Sequence, residues 1–197
     1  MTPAALIEQV QDWRRAAVAN RLFWRALLGA AAVIGVDQAS KHWIVNGLKL
    51  PERVAPCALY PDLVCAQIDM GPIFDLTFVR NFGASFGMLA GGAASRVFLS
   101  LLSLTIAGFL IAWLGRLTRP VAATGVAFVV GGALGNLIDR VRYGYVVDFL
   151  DFSKLYFPWV FNVADVAINI GVAFLLLDAY LTRDRPPSTA PKSGEGN

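Results

Sequence analysis

Val97-Phe-Leu-Ser-Leu-Leu-Ser-Leu-Thr-Ile-Ala-Gly-Phe-Leu-Ile-Ala-Trp-Leu114 runs for 18 residues without a charged side chain. Val121-Ala-Ala-Thr-Gly-Val-Ala-Phe-Val-Val-Gly-Gly-Ala-Leu-Gly-Asn-Leu-Ile138 is a second run of the same length. Each approaches the ~20 residues a helix needs to cross the hydrocarbon of a bilayer. Only Gly115 to Pro120 separate them, with Arg116 and Arg119 and no acid. So short a connection makes the two helices an antiparallel hairpin.

On either side of this hairpin lies an apolar stretch interrupted by charge. Phe23 to Leu48 contains Asp37 and Lys41, and Phe157 to Tyr180 contains Asp165, with Asp178 near its end. Ionisable groups at such depth are costly unless they face protein or water, so they mark function by default. The count is four spans, at about 23–48, 97–114, 121–138 and 157–180, with both termini on one side. The composition agrees: 56% of the 197 residues are hydrophobic and 16% charged, with mean hydropathy +0.56. A soluble domain carries about a quarter charged residues. Disordered chains, coiled coils and nucleic-acid binders working through a basic surface are excluded. A net charge of +3 implies no polyanionic partner. Two cysteines and one histidine leave little room for a zinc site, and neither a metal nor another cofactor is expected.

Basic residues set the orientation. Segments 1–25, 115–120 and 182–197 hold nine Lys/Arg in 47 residues, against seven in the 75 residues of 46–96 and 139–162. The denser side is cytoplasmic by the positive-inside rule. Residues 1–22 therefore read as a cytoplasmic segment, with Leu6, Val10, Trp13 and Ala17 on one face of an interfacial helix. Its length and the charges in the first span do not suit a cleaved signal peptide. Residues 23–182 form the membrane domain, and the Pro/Ser/Gly-rich residues 183–197 read as a disordered tail. The outer segment 49–96 is expected to lay a small β-sheet on the membrane surface, with Asp75-Leu-Thr-Phe-Val-Arg80 as one strand. Cys57 and Cys65 lie in it, as a local disulfide or as two unpaired thiols.

The polar residues of the spans share one depth. At ~1.5 Å per residue, Asp37 and Lys41 lie about 18 and 24 Å from the inner end of the first span. Asn136 and Asp139 lie about 22 and 27 Å along the third, and Asp165 and Asn162 about 27 and 31 Å along the fourth. The hydrocarbon is ~30 Å thick, so three helices bring polar side chains to the outer interface. The Asn81 loop and the Tyr143–Asp151 segment belong there as well.

Several of these residues have a plain structural reading. Asp37 and Lys41, at i and i+4, can pair as glue between helices. Gly131, Gly132 and Gly135 suit close helix packing. Asn136, Asp139 and Arg140 can close a helix with a local ion pair, and His42 can sit at the interface. Asp69, Asp75 and Asp151 read as solvated or loop-pairing acids. Asp165 follows Asn162 by three positions, as in a helix cap. A cap does not explain why Asp148, set among Val146, Val147, Phe149 and Leu150, reaches the same depth from another segment. Two carboxylates in low dielectric cannot both ionise cheaply, so the pair is expected to hold one proton. That is the aspartic-protease arrangement, in which one acid activates water and the other polarises the scissile carbonyl.

Five blocks now stand in order: Asp37-Gln-Ala-Ser-Lys41, Asn81-Phe-Gly-Ala-Ser-Phe-Gly87, Gly132-Ala-Leu-Gly-Asn-Leu-Ile-Asp-Arg140, Val146-Val-Asp-Phe149 and Phe161-Asn-Val-Ala-Asp165. In these blocks and in its four-span pattern the chain resembles the bacterial lipoprotein signal peptidases, or type II signal peptidases. The resemblance implies four transmembrane helices, a small extracytoplasmic β-sheet cradle and a periplasmic helix or loop. It implies a membrane-embedded aspartic endopeptidase that cuts diacylglyceryl prolipoproteins just before the lipidated cysteine. It places the catalytic dyad on Asp148 and Asp165 and supporting or substrate-binding roles on Asp37, Lys41, Asn81, Asn136, Asp139, Arg140 and Asn162. Gly83 and Ala84 fall in the loop that such enzymes lay along the substrate. It further implies the bacterial inner membrane and contact with lipid; a monomer is expected, though nothing in the sequence fixes the oligomeric state. The chain departs from the family pattern in a longer outer segment, a longer C-terminal tail and Ser85 where alanine is common.

A transporter or channel predicts midplane charge and an internal repeat. The two uncharged spans have no such charge, and no repeat is evident. A purely structural role for the acids predicts that amides at 148 and 165 cost stability and no reaction. A serine protease is disfavoured, because His42 has no evident nucleophile beside it.

Overall fold

The structure is a computed structural model that describes residues 2–56, 64–83 and 92–183. Among the described residues there are five α-helices and five strands: α1 (Pro3–Ala19), α2 (Arg21–His42), β1 (Val54–Pro56), β2 (Val64–Asp69), β3 (Asp75–Asn81), α3 (Ala93–Leu114), α4 (Pro120–Arg142), β4 (Val146–Asp151), β5 (Val160–Phe161) and α5 (Val163–Thr182). A π-helical turn, Trp43–Gly47, extends α2. Among the described residues four helical segments are long and apolar enough to cross a membrane: α2 with its extension, α3, α4 and α5.

α4 is the centre of the bundle. Of its 23 residues 13 are buried, against four of 22 in α3 and four of 20 in α5. Its small residues allow this. A Cβ on Gly132 would collide with the carbonyl oxygen of Ala164, and one on Gly171 would come within 2.7 Å of the Gly125 carbonyl oxygen. The backbones of α4 and α5 are therefore in direct contact, the close approach that glycine permits between membrane helices. α2 docks on another face of α4, where Gly131 meets Val33 and the Ala30 carbonyl. Leu28, Phe109 and Leu176 are 72, 70 and 66% exposed and face outward. A soluble bundle would bury such side chains, whereas a bilayer covers them.

At one end of the bundle lies an antiparallel sheet in the order β1-β2-β3-β4-β5. Ile44, Leu50, Leu76, Val147 and Phe149 form a small core between it and the end of α2. A second core at the opposite end includes Ala17 of α1, Phe23 of α2, Leu114 of α3 and Val126 of α4.

Two expectations are corrected, and for Asp75 and Asp151 the pairing alternative holds. Hydropathy starts the last span at Phe157, but α5 begins at Val163, because Pro158 and strand β5 intervene. Asp75 and Asp151 are buried, not solvated. Asp75 accepts from Gln67 at 2.7 Å and from Lys154 at 2.6 Å, and Asp151 accepts from Thr77 at 2.6 Å and from the Ser153 N–H. Asp69 does stay exposed. The Gly71 N–H, then Lys154, hold its carboxyl below the usual value, while Asp75 and then Asp69 raise the Lys154 ammonium. Lys154 thus staples the β2–β3 turn to the segment after β4, a connection no local pattern announces. Finally, Asp139 pairs with Lys41 at 2.8 Å, not locally with Arg140. Cys65 is disulfide-bonded. Cys57, Ala84, Ser85 and the tail from 184 lie outside the described residues.

Candidate active site

The sheet end of the bundle gathers residues from α2, α4, α5, β3 and β4. Asp148 lies on β4 and is 1% exposed; Asp165 lies in the first turn of α5 and is half-buried. Between them stands Asn162, fully buried, the N-cap of α5. Its Oδ1 accepts the Asp165 N–H at 3.0 Å, and Asp165 Oδ2 accepts the Asn162 N–H at 3.2 Å. This reciprocal capping box satisfies two helix-end donors. The Nδ2 of the same Asn162 donates to Asp148 Oδ1 at 2.6 Å and to Asn136 Oδ1 at 3.1 Å. Asn136 in turn donates to Asp165 Oδ1 at 2.8 Å. The two acids are therefore held on one side of the bundle by a shared asparagine, and Asp165 is at once a helix cap and a member of the cluster.

Asp148 receives a second donor, Asn81 Nδ2, at 2.8 Å on Oδ2. Pairing in the sheet explains how. Leu76 opposes Leu150, but Val79 opposes Asp148 and Asn81 opposes Val146, so β3 carries one extra residue between Leu76 and Val79. Without that bulge, period-2 alternation would put Phe78 and Arg80 on the Asp148 face. With it, Asn81 takes that face and lies diagonal to Asp148 across the pair. Arg80 stacks elsewhere, over the Phe78 and Tyr145 rings. Burial pushes the Asp148 carboxyl up from 3.8 to about 7. The negative charge of Asp165 adds to the rise, and Asn81, Asn162 and Lys41 oppose it.

Behind the asparagines lies a buried ionic cluster. Lys41 Nζ, 3% exposed, reaches Asp37 at 2.9 Å, Asp139 at 2.8 Å and Asn136 Oδ1 at 3.1 Å. Asp37 also accepts the Ala164 N–H at 2.9 Å, a donor of the first turn of α5 that the helix itself leaves unsatisfied, and Asp139 accepts the Val147 N–H at 3.1 Å. One cation thus ties α2 to α4, α5 and β4. Gln38, which sequence reasoning does not single out, bridges Asp37 and Asp139 at 3.1 and 2.9 Å. Nothing in helical periodicity marks it, because it sits one residue beyond Asp37. Arg140 is half-buried on α4, donates to the Asn136 carbonyl at 3.4 Å, and its charge acts on Asp165, Asp148 and Asp139.

Gly83 follows the cluster on the chain. Its N–H donates to Asn81 Oδ1 at 2.7 Å, orienting that amide so that its Nδ2 faces Asp148. The turn requires φ +84° at Gly83, and a Cβ there would run into Leu99. Gly83→Ala is expected to destabilise the chain by roughly 1–2 kcal/mol, the cost of left-handed backbone for an L-residue. Thermal unfolding in detergent measures it, and an unchanged midpoint would show that this turn adapts freely.

The site's residues come from a stretch that matches a known family. Residues 29–181 match the model for signal peptidase (SPase) II. A lipoprotein signal peptidase of Caulobacter vibrioides is 46% identical over 166 residues, covering 84% of this chain and 92% of that protein. One of Brevibacillus brevis is 41% identical over 160 residues, covering 80% and 95%. A bacterial membrane enzyme solved by the in meso method at 2.3 Å aligns with TM-score 0.66 and 25% identity over 85% of this chain and 94% of its own. The chain belongs to the signal peptidase II family of membrane proteases, and the paired acids lie inside the matched region.

Proposed function

We propose that the protein removes the signal peptide from diacylglyceryl prolipoproteins, cutting just before the lipidated cysteine, with Asp148 and Asp165 as the water-activating pair. The observation that carries the reading is a single buried asparagine, Asn162, bonded to both acids. Below a pH of about 7 the pair holds one proton, and burial makes Asp148 its holder. Asp165, half-buried, takes a proton from a water molecule as the water oxygen attacks the scissile carbonyl carbon. The Asp148 proton passes to the developing carbonyl oxygen. Collapse of the tetrahedral diol returns a proton to the amide nitrogen and breaks the C–N bond. The signal peptide leaves with a new carboxylate, and the lipoprotein keeps a free amino group on its modified cysteine.

Asn136 and Asn162 orient the acids, Asn81 holds Asp148, and Arg140 with the Asp37–Lys41–Asp139 cluster fixes the helices around them. Gly83 and Ala84 belong to the substrate-facing loop. The protein works as a monomer in the bacterial inner membrane with both termini in the cytoplasm. The greater density of Lys and Arg beside the termini supports that orientation. The dyad then meets the outer leaflet, where a diacylglyceryl cysteine holds its neighbouring peptide bond.

Purified protein is expected to cleave a diacylglyceryl precursor and to leave the unlipidated precursor intact, as read by product mass. kcat/KM is expected to fall as pH rises through about 7, where Asp148 loses its proton. Equal cleavage of both precursors would overturn the substrate class. A rate that stays flat from pH 6 to 9 would overturn the assignment of the proton.

A further inference from the structure

α1 precedes the family-matched region, which begins at residue 29. It is nonetheless firmly docked. Trp13 donates to the Ala112 carbonyl at 2.8 Å and lies over Gly115, Asn20 donates to the Leu117 carbonyl at 2.8 Å, and Ala17 is 2% exposed. The rest of its apolar face finds no protein partner: Leu6, Ile7, Val10 and Val18 are each more than half exposed. Between α1 and α3 runs a groove of about 540 Å³ walled by Val10, Trp13, Phe109 and Trp113, with Gln9 and Arg116 as its polar members. Phe109 belongs to the outward-facing apolar surface of the α3 span, so the groove is continuous with the surface that lipid covers. Its charge is basic. Arg116, the one charged residue lining it, makes no ion pair among the described residues, and the chain segment that carries α1 is itself basic, with Arg14, Arg15, Arg21 and Arg25 against Glu8 and Asp12 in its first 25 residues.

We propose that this groove seats an acyl chain of an anionic phospholipid from the leaflet nearest the termini, with the lipid phosphate against Arg116 and α1 lying in the headgroup layer. An apolar slot open to hydrocarbon accepts a chain, and an unpaired guanidinium beside it selects a phosphate-bearing headgroup of net negative charge. A zwitterionic lipid has the same chains and phosphate, but its ammonium offsets the attraction of Arg116 and of the basic segment that carries α1. α1 then acts as a membrane-surface strut that presses on the α3–α4 turn. The proposal does not depend on which peptide bond the enzyme cuts.

The test is native mass spectrometry of the full chain, released from detergent containing equimolar phosphatidylglycerol and phosphatidylcholine of the same acyl composition. The wild-type protein is expected to retain phosphatidylglycerol preferentially. Arg116→Gln is expected to lower the ratio of retained glycerol to choline lipid about fivefold, the equivalent of ~1 kcal/mol per basic side chain near an anionic surface. Val10→Asp, at a site 57% exposed, is expected to reduce retention of both lipids. Cleavage of a diacylglyceryl precursor in detergent should be unchanged in both variants, which separates this inference from the peptidase assignment. A wild-type ratio near one, or an Arg116→Gln ratio equal to wild type, would overturn it.

Discussion

Asp148→Asn and Asp165→Asn are each expected to reduce prolipoprotein cleavage by about 10²–10⁴-fold or more, the range that a positioned acid or base contributes. The double variant should fall little further, because two groups that act on one water are not additive. The informative companion measurement is stability. Folding raises the Asp148 carboxyl to about 7, so the folded chain disfavours its ionised form and a neutral amide of the same shape is cheap to bury. In Asp148→Asn the new amide can still present its carbonyl to Asn162 or Asn81. In Asp165→Asn the side-chain oxygen can still accept the Asn162 N–H. Cleavage should therefore vanish while the unfolding midpoint moves by only a few degrees. If the acids are merely helix caps and sheet contacts, the pattern reverses: stability drops and cleavage survives. Near-normal turnover in either single variant would remove that residue from the dyad.

Lys41→Met is expected to be the most destabilising single substitution in the bundle, by about 3–5 kcal/mol, the cost of leaving a buried ion pair with one partner. Here the remaining partners are two carboxylates, Asp37 and Asp139, both 0% exposed, and among the described residues no second cation pairs with either of them. Asn136 would also lose the ammonium that fixes its amide, and with it the orientation of the donor to Asp165. Chemical denaturation in detergent should show the loss. Lys41→Met combined with Asp37→Asn should recover part of it, since one of the uncompensated charges is gone. A Lys41→Met midpoint equal to wild type would show that the cluster is not an ionic keystone.

Much of this architecture is legible in one sequence because a membrane restricts the choices. A chain in hydrocarbon must pair every backbone group internally, so long uncharged runs such as Val97–Leu114 have one outcome. The charged residues that interrupt the other spans then stand out. Asp37, Lys41, Asn136, Asp139, Asn162 and Asp165 do converge, because helical rise turns sequence distance into depth. The start of α5 is illegible for the opposite reason: Phe157, Trp159, Val160 and Phe161 are as apolar as a helix, and hydropathy does not separate strand β5 from membrane span.

Read alone, the chain establishes its solvent and a level: four crossings, and a set of acids and amides brought to one end of them. Which atoms meet is settled only by packing. The bulge in β3 turns Asn81 instead of Arg80 toward Asp148, Asn162 joins both acids, and Asp139 finds Lys41 on another helix in preference to its neighbour Arg140. Hydrophobic partitioning is a sum over a segment, so it can be read one segment at a time. A hydrogen bond or a buried ion pair depends on the register and rotation of two elements far apart in the chain, and those are fixed only when the elements pack.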